Sequence, residues 1–316
     1  MKKIAINYSD LNKNHLSKII AAARGYDVLS GDEAKADIAG CEILFGHADA
    51  KLLSAAKSLK WLHAQSAGVD HYLRPDTGLM DSVILTNSAG MHGISIAEHM
   101  LGHTLMLMRR LHSYVLQQAV RKWEYLGTVQ SIYRSRITVV GLGGIGSEYA
   151  ARCRALGAAV SGVVRTPRAD TPSCVDNIYT IDWLDEAIRD ADVVALTLPN
   201  TAETVNLFDR ARMLKMKKGA LILNVGRGAA IDQDAMIELL ESGHLGGAGL
   251  DVTEPEPLPA ESRLWALPNV VLTPHISGGG TLPLTADLIV GRFIEYLEDY
   301  IAGRPFRKVV DRERGY

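Results

Sequence analysis

Cysteine is scarce in this chain, and the three residues present, Cys41, Cys153 and Cys174, are widely spaced. An odd number of thiols without a Cys-x-x-Cys pair argues against a disulfide framework and against a zinc cage. Long apolar runs are also missing, because no stretch approaches the roughly 20 residues of a membrane-spanning helix. The apolar run after Met1 ends at Tyr8, which is too short for the core of a secretion signal. These absences predict a cytoplasmic protein without a membrane partner.

The chain also lacks an excess of charge of either sign. Its 34 lysine and arginine residues nearly balance 36 acidic residues, which gives a formal net charge of -2. Without a strong overall field, we expect no electrostatic binding of nucleic acid or of an anionic membrane, and a small molecule is the expected partner. What the chain does contain is 316 residues, of which 47% are hydrophobic. This length and composition suffice for two α/β domains.

Short runs rich in valine, isoleucine and leucine recur between segments with helical spacing, a pattern that is typical of βαβ units with buried parallel strands. The predicted strands are 4–6, 43–45, 83–86, 137–140, 160–164, 193–198, 221–225 and 270–272. Residues 94–118 instead predict a long helix, broken near Arg110, that leads from one set of strands to the next. Residues 282–302 predict a second long helix. Asp182, Asp209 and Asp232 are the predicted N-caps of helices ending near Ile188, Gly219 and Gly243.

A glycine-rich turn follows the predicted strand 137–140. It reads Gly141-Leu142-Gly143-Gly144-Ile145-Gly146 and leads into a segment with helical spacing. In a strand-to-helix turn of this GxGxxG type, the glycines permit close backbone approach, and the N-terminus of the helix faces a pyrophosphate. We therefore predict that this loop binds a dinucleotide. The alternative is a glycine-rich turn without a ligand.

The next predicted strand ends at Val164, where a dinucleotide site usually has an acidic residue for the ribose hydroxyls. Here Arg165, Thr166 and Arg168 follow the strand, and the first carboxylate is Asp170. Arginine presents a planar fork of donors that suits a 2′-phosphate. NADP(H) is therefore the favoured cofactor, with NAD(H) as the alternative. The competing interpretation is that both arginines are solvated loop residues.

Three later segments each end a predicted strand with polar residues. They are Asn224-Val225-Gly226-Arg227-Gly228, Asp251-Val252-Thr253-Glu254-Pro255-Glu256-Pro257 and Thr273-Pro274-His275. Together with the glycine loop, and in this order, they resemble the D-isomer-specific 2-hydroxyacid dehydrogenases. Gln65-Ser66-Ala67-Gly68-Val69-Asp70 and Ile96-Ala97-Glu98-His99 are similar to further segments of that family. The resemblance covers nearly the whole chain.

The resemblance implies an α/β fold with two domains. One is a Rossmann dinucleotide-binding domain, placed at 99–287, and the other is a discontinuous flavodoxin-like substrate domain, placed at 1–98 and 288–316. The resemblance also implies a substrate cleft between them and a homodimer. It assigns Leu198, Pro199, Val225, Gly226 and Asp251 to the cofactor site, and Ala67, Gly68 and Val69 to the substrate carboxylate.

The chemistry of the motif residues agrees with this family. Reduction of a 2-keto acid to a D-2-hydroxy acid by NAD(P)H needs a cation for the carboxylate and carbonyl, and an acid for the developing alkoxide. Arg227 is the predicted cation. His275 is the predicted acid, because imidazole titrates in the working range of pH. Comparison with the family assigns the carboxylate partner of His275 to Glu256, with Glu254 as the competing candidate.

Other histidines have weaker claims. His99 and His103 are four residues apart, but no further ligand cluster accompanies them, so we predict ordinary helix residues and no metal site. His92 is interpreted as a hinge residue, with a substrate contact as the alternative. His63 and His71 flank the predicted carboxylate loop and receive no role.

Two functions from different classes fit the sequence. The first is an NAD(P)-dependent D-2-hydroxyacid dehydrogenase, and the second is a non-catalytic, NAD(H)-sensing binding protein of the corepressor type. The combination of Arg227, Glu256 and His275 favours the enzyme. A dehydrogenase of a substrate such as phosphonate or formate is a third hypothesis. The sequence leaves the particular 2-keto acid open, because pocket shape decides it.

Overall fold

The computed structural model describes residues 2–166, 172–279 and 282–315. The strands are β1 (Lys2–Asn7), β2 (Tyr26–Ser30), β3 (Ile43–Gly46), β4 (Trp61–Ala64), β5 (Ile84–Asn87), β6 (Arg136–Val140), β7 (Ala159–Val164), β8 (Asn177–Thr180), β9 (Val193–Leu196), β10 (Ala220–Asn224), β11 (Leu245–Leu250) and β12 (Val270–Leu272). The α-helices are α1 (Lys13–Ala22), α2 (Gly31–Ala36), α3 (Ala50–Ala55), α4 (Gly93–Met108), α5 (Leu111–Ala119), α6 (Gly144–Ala155), α7 (Leu184–Arg189), α8 (Arg210–Met213), α9 (Gln233–Glu241) and α10 (Pro283–Ile301).

The chain divides into two compact units, Met1–His92 with Gly280–Tyr316, and Gly93–Gly279. Both boundaries lie a few residues before the predicted ones at 98 and 287. The reason is that whole helices belong to one unit each. Helix α4 lies entirely in the second unit, and α10 returns to the first.

The first unit contains a five-stranded parallel sheet in the order β2-β1-β3-β4-β5. Alternate side chains of β1 serve two cores, as the period of a strand requires. Ile4 and Ile6 pack with residues of α1 and α10, whereas Ala5 belongs to the core of the opposite face. The rings of Phe45 and Phe293 stack with their centroids 4.2 Å apart. Helix α10 is thus an integral part of this unit.

The second unit contains a seven-stranded parallel sheet in the order β12-β11-β10-β9-β6-β7-β8. The strand β6 lies between β7 and β9, so the chain order reverses at this strand. Open α/β sheets bind their ligands beyond the carboxyl ends of the strands at such a point. The glycine-rich loop follows β6 directly.

Four strands escaped prediction, namely β2, β4, β8 and β11. The case of β11 has a clear packing reason, because three of its six residues are glycine. A Cβ on Gly247 would lie 3.1 Å from a methyl group of Leu107, and one on Gly249 would lie 3.0 Å from Cβ of His103. Glycine therefore lets α4 pack against this strand, while it removes the β-branched pattern that marks a strand in sequence.

The predicted helix signals were correct in most places. A break separates α4 from α5 at Arg110, which has a φ of 55°. The side chains of Asp209 and Asp232 cap α8 and α9 as predicted, although α8 ends at Met213, well before Gly219. Asp182 is not a cap, because a short 3-10 turn occupies 181–183 and α7 begins after Trp183. Among the described helices, none is long and apolar enough to cross a membrane.

Candidate active site

The GxGxxG loop joins β6 to α6. Gly141 has a φ of 100°, a left-handed conformation that favours glycine. A Cβ on Gly146 would lie 2.0 Å from the carbonyl oxygen of Gly141, so only glycine permits this turn. By contrast, a Cβ on Gly143, the N-cap of α6, would meet no described atom within 4 Å beyond its chain neighbours. The loop therefore combines an open backbone with a helix N-terminus, which suits a pyrophosphate.

The end of β7 presents Arg165 and Thr166, both exposed. Nη1 of Arg165 lies 3.7 Å from Oε2 of Glu203. An ion pair between two exposed side chains at this distance is weak. The sequence pattern does not single out Glu203, because it is distant in sequence from the dinucleotide motif. The other predicted arginine, Arg168, lies outside the described residues.

The turn after β10 carries Arg227. The buried side chain of Asn224 organises this turn, since its Oδ1 accepts a hydrogen bond from the Gly226 amide at 3.0 Å and its Nδ2 donates to the Arg227 carbonyl at 2.8 Å. The half-buried guanidinium of Arg227 donates to the carbonyl of Gly226 at 2.9 Å. Asn224 therefore determines the backbone position from which the Arg227 side chain extends.

Two glycines bring this turn close to its neighbours. A Cβ on Gly226 would lie 2.5 Å from the carbonyl oxygen of Leu198, and one on Gly228 would lie 2.0 Å from that of Thr253. The predicted cofactor residues Leu198, Pro199, Val225 and Gly226 follow the adjacent strands β9 and β10. The segments after β9, β10 and β11 thus meet at one edge of the sheet.

His275 and Glu256 lie in direct contact. Nδ1 of His275 is 2.8 Å from Oε2 of Glu256, and the other carboxylate oxygen, Oε1, accepts a hydrogen bond from the Thr253 amide at 3.1 Å. Glu254 makes no such contact among the described residues, and its backbone amide donates to Gln233 instead. With Nδ1 engaged, Nε2 is the His275 nitrogen that can face a substrate. The geometry thus pairs His275 with Glu256 and not with Glu254.

Asp251, which the resemblance assigns to the cofactor site, lies in a buried polar environment. Its side chain is completely buried, and its two oxygens accept hydrogen bonds from Thr273, Ile276 and Ser277. Burial alone opposes ionisation, but the bonds from Ser277 and Thr273 outweigh it and hold the pKa of Asp251 below its usual value. The donors Thr273 and Ser277 were missed in the sequence, although they closely flank His275.

In the first unit, two carbonyl groups of the loop after β4 accept hydrogen bonds from side chains. The carbonyl of Ala67 accepts a hydrogen bond from Nδ2 of Asn87 at 2.7 Å, and that of Gly68 accepts one from the Ser66 hydroxyl at 2.7 Å. The amides of Ala67, Gly68 and Val69 donate no hydrogen bond to another described residue. This loop therefore offers backbone donors, as an anion-binding segment does.

Beneath that loop lies the buried His63. The Thr86 hydroxyl lies 2.7 Å from its Nδ1, and the Ser88 hydroxyl lies 3.2 Å from its Nε2. Burial lowers the pKa of His63 to about 3, so the ring is neutral. Nε2 of His92 donates a hydrogen bond to the Gln65 carbonyl at 3.1 Å. Both histidines support the loop from within the unit.

His99 and His103 lie on α4 with their ring centroids 4.4 Å apart. Nε2 of His99 is 2.9 Å from the Thr273 hydroxyl, whereas neither nitrogen of His103 has a partner among the described residues. Burial, together with the nearby His99, lowers the pKa of His103 to about 4. Within the described ranges, no group of three or more potential metal ligands occurs.

Comparison with known proteins places this geometry in a family. Residues 101–277 match the D-isomer specific 2-hydroxyacid dehydrogenase, NAD binding domain. This match covers more than half of the chain, which therefore belongs to the D-isomer specific 2-hydroxyacid dehydrogenase family. The predicted family, the two-domain α/β fold and a nicotinamide dinucleotide as cofactor are confirmed at this level.

Individual relatives differ in how much of their length they share. The chain is 32% identical over 311 residues to glyoxylate/hydroxypyruvate reductase A of Citrobacter koseri, covering 96% of this chain and 95% of that protein. It is 34% identical over 267 residues to a D-3-phosphoglycerate dehydrogenase of Synechocystis sp., covering 83% of this chain. The chain spans about half the length of the D-3-phosphoglycerate dehydrogenases that it matches.

A solved structure agrees over the full length. The NADPH-dependent glyoxylate/hydroxypyruvate reductase of Sinorhizobium meliloti, in complex with NADP and sulfate, has a TM-score of 0.84 and 26% sequence identity. The similarity covers 100% of both chains.

Proposed function

We propose that this protein is an NAD(P)H-dependent reductase of small 2-keto acids that produces D-2-hydroxy acids, of the glyoxylate/hydroxypyruvate reductase type. The observation that carries the proposal is the contact between His275 and Glu256, in the same unit as Arg227 and the GxGxxG loop. A binding protein needs a nucleotide site but no such acid and carboxylate pair. The likeness to the Citrobacter koseri reductase over nearly the whole of both chains supports the same assignment.

Each residue has a separate task in the proposed reaction. The guanidinium of Arg227 binds the carboxylate of the 2-keto acid and polarises its carbonyl group. When bound, the reduced nicotinamide supplies the hydride that is transferred to C2. Nε2 of His275 donates a proton to the carbonyl oxygen as it becomes an alkoxide, which yields the hydroxyl group. Glu256 accepts the hydrogen bond from Nδ1 and stabilises the protonated ring before the transfer.

Two further segments complete the proposal. The amides of Ala67, Gly68 and Val69 bind the substrate carboxylate, which is supported by their lack of partners among the described residues. The loop Gly141, Leu142, Gly143, Gly144, Ile145 and Gly146 holds the pyrophosphate, with Leu198, Pro199, Val225 and Gly226 beside the cofactor. Arg165 and Thr166 at the end of β7 favour NADP(H). The similar reductase of Sinorhizobium meliloti, which is NADPH-dependent, supports the same cofactor.

The test separates an enzyme from a nucleotide sensor. Purified protein is assayed with glyoxylate, hydroxypyruvate, pyruvate, 2-ketoisovalerate and phenylpyruvate, each with NADPH and with NADH. We expect turnover with at least one acid, and a fall in kcat of about 100-fold or more in His275→Asn with little change in cofactor affinity. Asparagine is chosen because it tolerates the positive φ of this position. Tight cofactor binding without turnover of any acid would instead support the sensor.

We also propose that the protein is a homodimer. Helix α5 and the segment after it expose an unusual number of large apolar side chains, namely Val115, Leu116, Val120, Trp123 and Tyr125. Exposed large apolar residues that lie close together in sequence are typical of an interface. Light scattering is expected to give twice the mass of the chain for the wild type and the mass of one chain for Leu116→Asp. A monomeric wild type at micromolar concentration would contradict the proposal.

A further inference from the structure

Asp251 is joined to the segment that carries His275 by an unusual set of hydrogen bonds. Its Oδ1 accepts from the Thr273 hydroxyl at 2.6 Å and from the Ile276 amide at 3.0 Å. Its Oδ2 accepts from the Ser277 amide at 3.0 Å and from the Ser277 hydroxyl. The backbone carbonyl of Asp251 accepts from the His275 amide at 2.8 Å. One residue thus holds the segment 273–277 at five points.

The carboxylate has to be ionised for this arrangement to work. Four groups of the segment donate hydrogen bonds to its oxygens, Nε2 of His99 lies 3.7 Å from Oδ1, and only a carboxylate accepts at both oxygens. Burying a charge is costly unless such donors compensate for the lost water. Although burial acts against the charge, the bonds from Ser277 and Thr273 keep the pKa of Asp251 below its usual value.

The held segment has a backbone conformation that needs support. His275 has a φ of 52°, in the left-handed region, which is unfavourable for a residue other than glycine. Such a conformation persists where the surrounding structure determines it. At His275 the surrounding structure is chiefly Asp251, since it binds the amide of His275 itself and those of the two residues that follow.

Helix α4 also forms hydrogen bonds with the segment 273–277. The Thr273 hydroxyl donates to Asp251, so it accepts from Nε2 of His99 at 2.9 Å. The Ser95 hydroxyl donates to the carbonyl of Ser277 at 2.7 Å. Both ends of the segment are therefore hydrogen-bonded to α4 as well as to Asp251.

We propose that Asp251 is a positioning residue, whose buried carboxylate holds the segment 273–277 in the conformation that directs the His275 imidazole against Glu256. This inference rests on the proposed function for its consequence in catalysis.

The first readout does not depend on activity. In protein labelled with 15N-histidine, the ring signals of His275 are assigned by their absence from His275→Asn, and the contact with Glu256 by the shift in Glu256→Gln. We expect Asp251→Asn to separate His275 from Glu256. Adding Glu256→Gln to that variant should then no longer shift the His275 signals. Nδ2 of asparagine is a donor and would face the donors of Thr273 or of Ser277. The hydrogen bonds that hold the segment 273–277 would therefore be lost. Unchanged His275 signals in Asp251→Asn would overturn the inference, whether or not the protein is a 2-keto acid reductase.

The second readout separates positioning from cofactor binding. Asp251→Asn is expected to lower kcat by about 100-fold, because a displacement of about 1 Å is enough for that loss, while the Kd of NADPH changes less than about 3-fold. Ser277→Ala removes one donor and should lower kcat by about 10-fold without change in Kd. This milder variant keeps the test open if Asp251→Asn does not fold. A Kd for NADPH that rises 10-fold or more in both variants, with kcat retained, would identify Asp251 as a cofactor ligand.

Asp232→Asn is the matched control. Asp232 is a carboxylate of the same unit that caps α9 by accepting from the Ala235 amide at 3.1 Å, and asparagine caps a helix equally well. Its His275 signals, kcat and Kd should equal those of the wild type. A loss of kcat in this control as large as in Asp251→Asn would show a general effect of charge removal and would contradict the inference.

Discussion

Nδ1 of His275 lies 2.8 Å from Oε2 of Glu256, and this contact predicts how the reaction depends on pH. In the proposed reaction His275 donates a proton to the keto acid, and the negative charge of Glu256 favours the protonated ring. Glu256→Gln removes the charge but keeps the shape. We expect the fall of kcat/KM with rising pH to move toward lower pH in this variant.

Glu254→Gln is the control for this measurement, because Glu254 follows the same strand without contact to His275. Its pH profile should coincide with that of the wild type. A shift in Glu254→Gln and none in Glu256→Gln would exchange the roles of the two acids.

Arg227→Lys tests whether a fork of donors is needed at the substrate carboxylate. The ammonium group of lysine is a point charge and cannot form two parallel hydrogen bonds to one carboxylate. We expect kcat to fall and KM for the keto acid to rise, each by about 10-fold, since one charge-assisted bond contributes about 1.5 to 3 kcal/mol. Arg263→Lys, at an exposed ion pair with Glu241, should change neither. Wild-type kinetics in Arg227→Lys would mean that other groups hold the carboxylate.

The proposed catalytic pair, Glu256 and His275, shows what sequence can predict. Glu256 and His275 are far apart in sequence, but they follow β11 and β12, which are adjacent parallel strands. Because parallel strands end at the same edge of a sheet, residues after them meet without any sequence proximity. The glycine loop was predictable for a different reason, as close backbone approach leaves glycine as the only choice at Gly141 and Gly146.

The support of the pair could not be predicted. The bonds from Thr273 and Ser277 to Asp251 depend on the register of β11 and β12 and on the backbone of His275, none of which leaves a pattern in sequence. The strand β11 itself was missed because its glycines serve the packing of α4. Sequence patterns report the secondary-structure preference of a segment, whereas these features depend on the other segments that pack against it.

His103 predicts an acid sensitivity of the fold. Burial lowers its pKa from 6.5 to about 4, so between these values the unfolded chain binds a proton that the folded chain does not. Stability therefore falls as pH falls through this window. For this group the free energy of unfolding should decrease by about 2 kcal/mol between pH 7.5 and pH 5.

The measurement is urea unfolding of the wild type and of His103→Leu at both values of pH. Leucine fits because neither nitrogen of His103 has a partner among the described residues. The variant should lose about 2 kcal/mol less than the wild type on acidification. The exposed His47 provides the control, and the free energy of unfolding of His47→Asn should fall on acidification by the same amount as that of the wild type. An equal loss in His103→Leu and the wild type would refute a neutral, buried His103.

The ion pair between Arg165 and Glu203 predicts that changes at either residue alter the preference for NADPH over NADH. If Arg165 binds the 2′-phosphate, one charge-assisted bond of about 1.5 to 3 kcal/mol gives NADPH roughly a 10-fold to 150-fold advantage over NADH in kcat/KM. Arg165→Asp should abolish or reverse this ratio, because a carboxylate repels the phosphate and bonds the ribose hydroxyls. Glu203→Gln should raise the ratio by about 2-fold to 5-fold, since Glu203 lies 3.7 Å from Arg165 and competes for it weakly. All three proteins are measured at one ionic strength, with Glu241→Gln as the control for loss of a surface carboxylate. A wild-type ratio below one that neither Arg165→Asp nor Glu203→Gln alters would show that Arg165 does not recognise the cofactor.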